Sequence, residues 1–207
     1  DTVVTAAQTS DILAIRHPLS YSVHKFAERI DGLKNNTPRI INCGDGSNEH
    51  PTQTLLDFYT VLKELGTLDG LTWLIVGDLE YGRTVHSLVR GIQKFSGNRV
   101  IGFPVGGLSL VGEYKPDGYE EFDFSKLAQI ASELDPKSLA VLYATRVQFE
   151  RIARKRYPDH DKFEEARKRQ IRDEIYREFK YQITLEMLNA SPEKIKLLHP
   201  LPRGSEI

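Results

Sequence analysis

Residues 71–87 read L-T-W-L-I-V-G-D-L-E-Y-G-R-T-V-H-S, a short apolar run followed at once by a polar turn and a helical pattern. The run from Leu71 to Val76 has the length and composition of a strand that is buried on both faces. Apolar residues at helical spacing then extend from about Gly82 to Phe95. The stretch therefore predicts a strand, a turn and a helix of a parallel α/β sheet.

The same alternation of apolar runs and helical patterns continues on both sides of this stretch. Further strands are predicted near residues 11–15, 39–42, 99–103, 139–144 and 194–198, and further helices near 20–30, 51–65 and 122–133. Ser20 is the expected N-cap of the first of these helices, Gly66 is the expected C-cap of the second, and the first strand is expected to be buried. The predicted fold class is α/β, with two doubly wound parallel-sheet domains of which the first is incomplete.

The periodicity breaks near residues 62–70, and this break is the predicted domain boundary. We expect a partial first domain at residues 1–62 and a second domain at residues 63–207. The chain starts without Met and ends soon after H-P-L-P-R. We therefore expect it to be an internal piece of a longer chain.

Residues 152–181 form a densely charged helical segment inside the second predicted domain. Its apolar residues recur at spacings of eight and four, which places them along one helical stripe: Phe163, Ile171, Ile175 and Phe179. We interpret the segment as an insert whose charged residues face solvent and whose stripe packs against the domain.

The composition is that of an ordinary globular protein and excludes several functions. A net charge of −1 over 207 residues provides no field that would attract nucleic acid or an anionic membrane. The single cysteine, Cys43, excludes an internal disulfide and fits a reducing, cytoplasmic environment. No apolar run approaches the roughly 20 residues that are needed to span a bilayer.

A cluster of polar residues follows each of five predicted strands. The clusters lie at residues 16–18 (R-H-P), 45–53 (D-G-S-N-E-H-P-T-Q), 77–87, 145–151 (T-R-V-Q-F-E-R) and 199–203 (H-P-L-P-R). In open α/β sheets, ligands bind in the crevice outside the carboxyl ends of the strands. We therefore expect the five clusters to form one site.

These clusters offer cations and hydrogen-bond donors. Arg16, Arg83 and Arg146 each lie just past a strand or at a helix start, and guanidinium groups pair bidentately with carboxylate or phosphate. His50 and Gln53 lie one turn apart at a predicted helix N-terminus, which favours an anion or a developing oxyanion. Neither a nucleophile–base pair nor zinc-ligand spacing occurs, so the sequence favours direct group transfer without a metal or cofactor.

Each of these residues has a plainer interpretation when it is taken alone. An arginine past a strand is most often part of a surface ion pair, and His50 is most often a structural histidine at a helix cap. His86 and Ser87 are interpreted as packing residues on their helix. The functional interpretation depends on the coincidence of all five clusters at equivalent strand ends.

Five motifs, in this order, resemble those of the aspartate carbamoyltransferase family. They are R-H-P, G-D-G-S-N-E-H-P-T-Q-T-L-L-D, V-G-D-L-E-Y-G-R-T-V-H-S-L, T-R-V-Q-F-E-R and H-P-L-P-R. The second and third are long enough to be highly specific, and the resemblance covers nearly the whole chain apart from residues 104–121 and the insert. It implies that the first domain binds carbamoyl phosphate, that the second binds L-aspartate, and that the carbamoyl group passes to the α-amino group of aspartate, a step of pyrimidine biosynthesis.

The resemblance also implies a role for each matching residue. Two residues would be catalytic because they would polarise the carbonyl group of carbamoyl phosphate: Arg16 and His50. The residues that would bind carbamoyl phosphate are Arg16, His50, Gln53, Pro200 and Leu201. The residues that would bind L-aspartate are Arg83, Arg146 and Gln148.

The family further implies a homotrimer with active sites shared between subunits, sometimes joined by regulatory chains. No nucleic acid, membrane or cofactor is expected as a partner. The family's S-T-R-T phosphate-binding loop is not found in this sequence. We therefore expect these 207 residues to be inactive alone.

Three alternatives compete with this interpretation. A carbamoyltransferase for another acceptor, such as ornithine, typically carries H-C-L-P where this chain has H-P-L-P, and it lacks an arginine equivalent to Arg146. A catalytically silent scaffold subunit would have no reason to keep the whole set of site residues. A dinucleotide-binding domain would need glycine where Leu79 stands.

Overall fold

The computed structural model describes residues 2–32, 37–189 and 195–202. The helices are α1 (Thr2–Ala7), α2 (Ser22–Asp31), α3 (Pro51–Leu65), α4 (Arg83–Ile92), α5 (Leu127–Glu133), α6 (Phe149–Arg156), α7 (Glu165–Phe179) and α8 (Leu185–Asn189). The strands are β1 (Ile12–His17), β2 (Arg39–Asp45), β3 (Thr72–Gly77), β4 (Arg99–Pro104), β5 (Glu120–Glu121), β6 (Ala140–Thr145) and β7 (Ile195–Leu198). Short 3-10 turns occur at Val105–Gly107, Gly112–Tyr114, Phe124–Lys126 and His160–Lys162.

The strands form two parallel sheets, as the sequence predicts. β1 pairs with β2 in a two-stranded sheet, and the second sheet has the order β5-β4-β3-β6-β7. β3 lies at its centre, in register with both neighbours, so that Gly77 is opposite Pro104 and Thr145. The predicted α/β class with parallel sheets is confirmed.

The apolar run that begins at Leu71 is buried on both faces of the second sheet. Leu74 and Val76 belong to one apolar cluster, and Trp73 and Ile75 belong to the cluster on the opposite face. All four are at most 1% exposed, because helices or loops cover both faces of a parallel sheet.

The first sheet differs from the prediction, because β1 is not buried. Residues of β1 alternate between exposed and half-buried, and Ile12 is 60% exposed. A two-stranded sheet that packs helices on one face leaves the other face to solvent, so alternate side chains remain accessible. Cys43 in β2 is likewise half-buried.

The cap of α2 also differs from the prediction. The helix begins at Ser22 rather than Ser20, and Tyr21 precedes it with a φ of 61° and no side-chain cap. The Ser20 hydroxyl instead accepts a hydrogen bond from the Ser47 amide at 3.0 Å. Ser20 therefore joins the end of β1 to the loop after β2 instead of capping the helix.

Helix α3 has the predicted bounds and ends at the predicted glycine. Gly66 adopts a φ of 77°, and its N–H donates to the Leu62 carbonyl oxygen at 2.9 Å. This left-handed cap is the conformation in which glycine has no Cβ penalty. The inner face of α3 packs Phe58 and Val61 into the same cluster as Trp73, so α3 joins the two parts of the fold.

The charged segment packs against the second sheet through its apolar stripe. Ile171, Ile175 and Phe179 are each at most 3% exposed and belong to the cluster that contains Val76. Phe163 precedes α7 and is only half-buried. The stripe therefore belongs to the core, while most of the charged residues around it are exposed.

Candidate functional site

The loop between β2 and α3 is organised by a buried carboxylate. Asp45 is 1% exposed, and its Oδ1 accepts from the Asn42 side chain at 3.0 Å and from the Glu49 amide at 3.1 Å. Its Oδ2 accepts from the Asn48 side chain at 3.1 Å. The short polar residues of G-D-G-S-N-E thus fold back on one aspartate, which sets the direction in which α3 begins.

His50 lies at the N-terminus of α3 with its ring toward the arginine residues. Its amide donates to the Ser87 hydroxyl at 2.7 Å, and its Nδ1 lies 3.2 Å from Thr52 Oγ1. Burial, followed by the charges of Arg83 and Arg16, lowers the pKa of His50 to about 4. The imidazole is therefore neutral near pH 7 and can donate one hydrogen bond without carrying charge.

Arg83, the first residue of α4, brings the second sheet into contact with this loop. A Cβ atom added to Gly44 would lie 2.9 Å from Arg83 Nη1 and 3.2 Å from His50 Cδ2, so the two side chains meet over that glycine. Arg83 Nη1 also donates to the Gly46 carbonyl oxygen at 3.3 Å. Burial, followed by Arg16 and Arg151, lowers the pKa of Arg83 to about 10.

Arg151 was not assigned a role from the sequence, although it ends the T-R-V-Q-F-E-R cluster. Its Nη2 donates to the Gly46 carbonyl oxygen at 2.5 Å, and its Nη1 donates to the Tyr81 carbonyl oxygen. Both Arg83 and Arg151 therefore reach the same oxygen from different helices. The only sequence signal was its place in that cluster, because the partners are backbone atoms 70 and 105 residues away.

Asp78 holds together the loops that follow β3 and β6. It is fully buried and accepts from the Tyr81 amide at 2.8 Å and from the Gln148 amide at 2.9 Å. Burial raises the pKa of Asp78 to about 6. Arg146 and Gln148 are half-buried beside this junction. Burial, with a smaller contribution from the charge of Arg146, lowers the pKa of Arg151.

His86 and Ser87 are buried, as packing residues would be, but they also connect the two parts of the fold. The Ser87 hydroxyl accepts from the His50 amide and donates to Glu49 Oε2. His86 Nδ1 lies 3.0 Å from the Asn48 carbonyl oxygen, and its ring stacks on Tyr114 at 4.0 Å. The interpretation as packing residues alone was therefore incomplete.

The side chain of Gln53 is oriented by a buried acid, Asp57. Its Nε2 donates to Asp57 Oδ1 at 2.9 Å, and the Tyr143 hydroxyl donates to Asp57 Oδ2 at 3.0 Å. Burial raises the pKa of Asp57 to about 6. The sequence did not identify the contact between Tyr143 and Asp57, because the two residues lie 86 positions apart.

Asp57 is expected to make folding stability depend on pH. Because its pKa is raised from 3.8 to about 6, the folded state binds the proton more tightly than the unfolded state. The resulting stabilisation is complete below about pH 4 and is lost as pH rises through about 6. Relative to Asp57→Asn, the free energy of unfolding of the wild type is expected to fall by about 2–3 kcal/mol from pH 4 to 7. Urea titrations of both proteins across this range measure it, and parallel curves would contradict it.

The remaining predicted residues follow β7 at the same edge of the sheet. Pro200 is half-buried and Leu201 is exposed, and the Leu201 amide donates to His199 Nδ1 at 3.1 Å. Arg203, the last residue of H-P-L-P-R, lies outside the described residues. The roles of Pro200 and Leu201 stay predictions.

The assembled site is a positively charged crevice around a neutral histidine. Contacts and charge effects bring together Arg16, His50, Arg83 and Arg151, from the ends of strands in both sheets. Within residues 2–32, 37–189 and 195–202, no group of three or more His, Cys, Asp or Glu side chains could hold a metal ion. No helix of the same residues is long and apolar enough to cross a bilayer. The arrangement can bind anionic groups and can stabilise negative charge that develops on a bound oxygen.

Two protein families match the chain, one in each part. Residues 1–63 match the family described as "Aspartate/ornithine carbamoyltransferase, carbamoyl-P binding domain". Residues 69–207 match the family described as "Aspartate/ornithine carbamoyltransferase, Asp/Orn binding domain".

Curated relatives and solved structures agree with these matches. The aspartate carbamoyltransferase catalytic subunits of Thermococcus kodakarensis and Archaeoglobus fulgidus are 37% and 36% identical over the whole chain, which spans 59% and 60% of their lengths. Aspartate transcarbamoylase from Trypanosoma cruzi in complex with phosphate superposes with a TM-score of 0.76 at 28% identity, and the match covers 100% of this chain and 62% of that one. The catalytic subunit from M. jannaschii superposes with a TM-score of 0.68 at 33% identity, covering 100% and 59%.

Proposed function

The chain belongs to the aspartate/ornithine carbamoyltransferase family, and from this membership we propose that the protein transfers the carbamoyl group of carbamoyl phosphate to L-aspartate. The products are N-carbamoyl-L-aspartate and phosphate, which places the reaction in pyrimidine biosynthesis. The observation that carries the proposal is that Arg83 lies beside a neutral His50 over Gly44 and shares the Gly46 carbonyl oxygen with Arg151. Two anionic substrates need such a concentration of cations, and a neutral donor suits an oxygen that gains charge only in the transition state.

Carbamoyl phosphate would bind at the ends of β1 and β2. Arg16 and His50 would both donate hydrogen bonds to its carbonyl oxygen. In His50, Nδ1 would accept from the Thr52 hydroxyl, and the N–H at Nε2 would donate to the substrate. Gln53, held by Asp57, would receive the carbamoyl amino group together with the backbone at Pro200 and Leu201. Solved structures of the Trypanosoma cruzi enzyme contain carbamoyl phosphate and aspartate, which supports this pair of substrates.

L-Aspartate would bind on the side of the second sheet. Arg83 and Arg146 would pair with its two carboxylates, and Gln148 would orient it. The α-amino nitrogen then attacks the carbonyl carbon, a C–N bond forms, and the C–O bond to phosphate breaks. The amino nitrogen is itself the nucleophile, and its proton passes to the departing phosphate, so no protein base is needed.

The same membership also supports a proposal for the assembly and the location. We propose a homotrimer in the cytoplasm, with active sites shared between subunits and regulatory chains as a further partner. Size-exclusion chromatography with light scattering on the intact protein measures the number of subunits, and a monomer would contradict the proposal.

The identity of the acceptor amino acid is tested by kinetic assays of the wild type and of a variant at Arg146. The intact protein is assayed with carbamoyl phosphate and either L-aspartate or L-ornithine, as wild type and as Arg146→Ala. We expect turnover with aspartate alone and, in the variant, a loss of about 10²-fold in kcat/KM, mainly through a higher KM, because a carboxylate loses its cation.

Arg154 provides the matched control for this experiment. It lies on α6 and pairs with Asp161 at the exposed surface, so Arg154→Ala is expected to keep wild-type kinetics. Turnover with ornithine would instead support the alternative, a carbamoyltransferase for another acceptor. A folded wild-type assembly that uses neither acceptor would favour a scaffold subunit.

A further inference from the structure

An open pocket of about 490 Å³ lies between α6 and α7, and most of its lining belongs to the charged segment, which has no part in the proposed reaction. Three basic residues of α7 line it, Lys168, Arg169 and Arg172. Phe149 and Ala153 of α6 form its apolar wall. A pocket with a basic side and an apolar side has the character of a binding site for an amphipathic anion.

The charges at this pocket are not balanced. Lys168 pairs with Glu165 at 2.9 Å, which leaves two guanidinium groups and one carboxylate, Glu150, in the lining. Arg169 has no carboxylate within 4 Å in the described part of the chain, and Arg172 has only Asp173 at 4.0 Å. Two guanidinium groups one helical turn apart, one with no carboxylate and one with a carboxylate only at 4.0 Å, can together bind one anionic group.

His160 adds a polar atom without a partner at the same place. The residue lines the pocket, is 9% exposed, and has a buried Nδ1 that makes no hydrogen bond to any described residue. The Asp161 carboxylate is 3.6 Å away, which is beyond hydrogen-bond distance. Buried polar groups are nearly always hydrogen-bonded, so an unsatisfied polar atom beside the pocket is unusual.

We propose that the pocket between α6 and α7 binds a small organic anion, with its phosphate or carboxylate between Arg169 and Arg172 and its apolar part against Phe149. This function is additional to the carbamoyl transfer proposed above. The pocket is separate from the crevice: Phe149, Glu150 and Ala153 lie on one face of α6, and Arg151 points from the opposite face to Gly46. A ligand here would therefore contact α6, the helix from which Arg151 reaches Gly46.

Histidine NMR on the intact protein, labelled with ¹³C in its histidine rings, tests the proposal with phenyl phosphate as the probe. Assigning the rings with His160→Gln and His50→Gln separates this pocket from the crevice. We expect phenyl phosphate to shift the His160 signal in a saturable way. Its affinity from this titration should be higher than that of inorganic phosphate, because the phenyl ring buries apolar surface against Phe149. Arg169→Ala/Arg172→Ala is expected to weaken this binding by about tenfold or more.

Arg167→Ala/Arg177→Ala removes the same charge from the same helix outside the pocket, so it is expected to change the affinity by less than about twofold. A His160 signal that does not move would overturn the proposal, as would equal affinity in the two double variants. A probe that moves only the His50 signal would show binding in the crevice alone and would also overturn it. Failure of the carbamoyl transfer assay would leave the His160 result unaffected.

Discussion

Replacing Arg83 with alanine is expected to lower kcat/KM for L-aspartate by about 10³-fold, which corresponds to about 4 kcal/mol of lost transition-state stabilisation. Arg83 lies over Gly44 beside the His50 ring, so its loss removes both a carboxylate partner and the positive charge with the larger effect on the histidine. The fold should tolerate the change, because the side chain meets repulsion from Arg16 and Arg151. Steady-state kinetics on the intact protein measure the effect.

Two further measurements separate this role from a structural one. After burial, Arg83 is the largest cause of the low pKa of His50, so that pKa is expected to rise from about 4 in Arg83→Ala. Arg83→Lys keeps the charge but not the planar fork, and its activity should lie between the two proteins. Arg99→Ala, which breaks an exposed pair with Glu120, should keep wild-type activity. A folded Arg83→Ala protein with normal kcat/KM would rule out the proposed aspartate contact.

Gly77→Ala is expected to cause the largest loss of stability, about 3–5 kcal/mol in the free energy of unfolding. Gly77 has a φ of 118° at the end of β3, and an added Cβ would lie 2.0 Å from the Thr145 carbonyl oxygen. That oxygen belongs to the backbone of the neighbouring strand β6, so the clash cannot be relieved by turning a side chain. Urea-induced unfolding followed by circular dichroism measures the change.

Gly66→Ala is the matched control for the conformational part of this effect. Gly66 has a φ of 77°, but nothing lies within 4 Å of an added Cβ. Its replacement is therefore expected to cost only about 1 kcal/mol, the penalty of a left-handed backbone for a residue with a side chain. Equal losses in the two variants would show that contact with Thr145 adds nothing. Because Asp78 and Arg146 follow Gly77 and Thr145 directly, Gly77→Ala should also reduce activity.

Interactions within one segment were accessible from the sequence. The bounds of α3 follow from Pro51 at its start and Gly66 at its end, and both signals act over a single helical turn. The burial of Trp73 and its neighbours follows from an apolar run that needs two covered faces. The burial of β1 was predicted wrongly, because burial depends on how many strands and helices cover a sheet, which one short run does not encode.

Contacts between distant segments were not accessible. Tyr143 reaches Asp57 from β6, and Ser87 accepts from the His50 amide because α4 packs beside α3. Arg151 joins the site by donating to backbone oxygens. Every residue has such an oxygen, so the sequence does not show which one an arginine will contact.

The sequence by itself determined the parallel α/β class, the family and the polar clusters at the strand ends, because hydrophobic periodicity, turn chemistry and motif spacing are local properties of the chain. Only the tertiary structure decided which of these clusters meet. The neutral state of His50 and the raised pKa values of Asp57 and Asp78 depend on desolvation and on neighbours that are remote in sequence. Such electrostatic effects exist only once packing has removed water from the groups concerned.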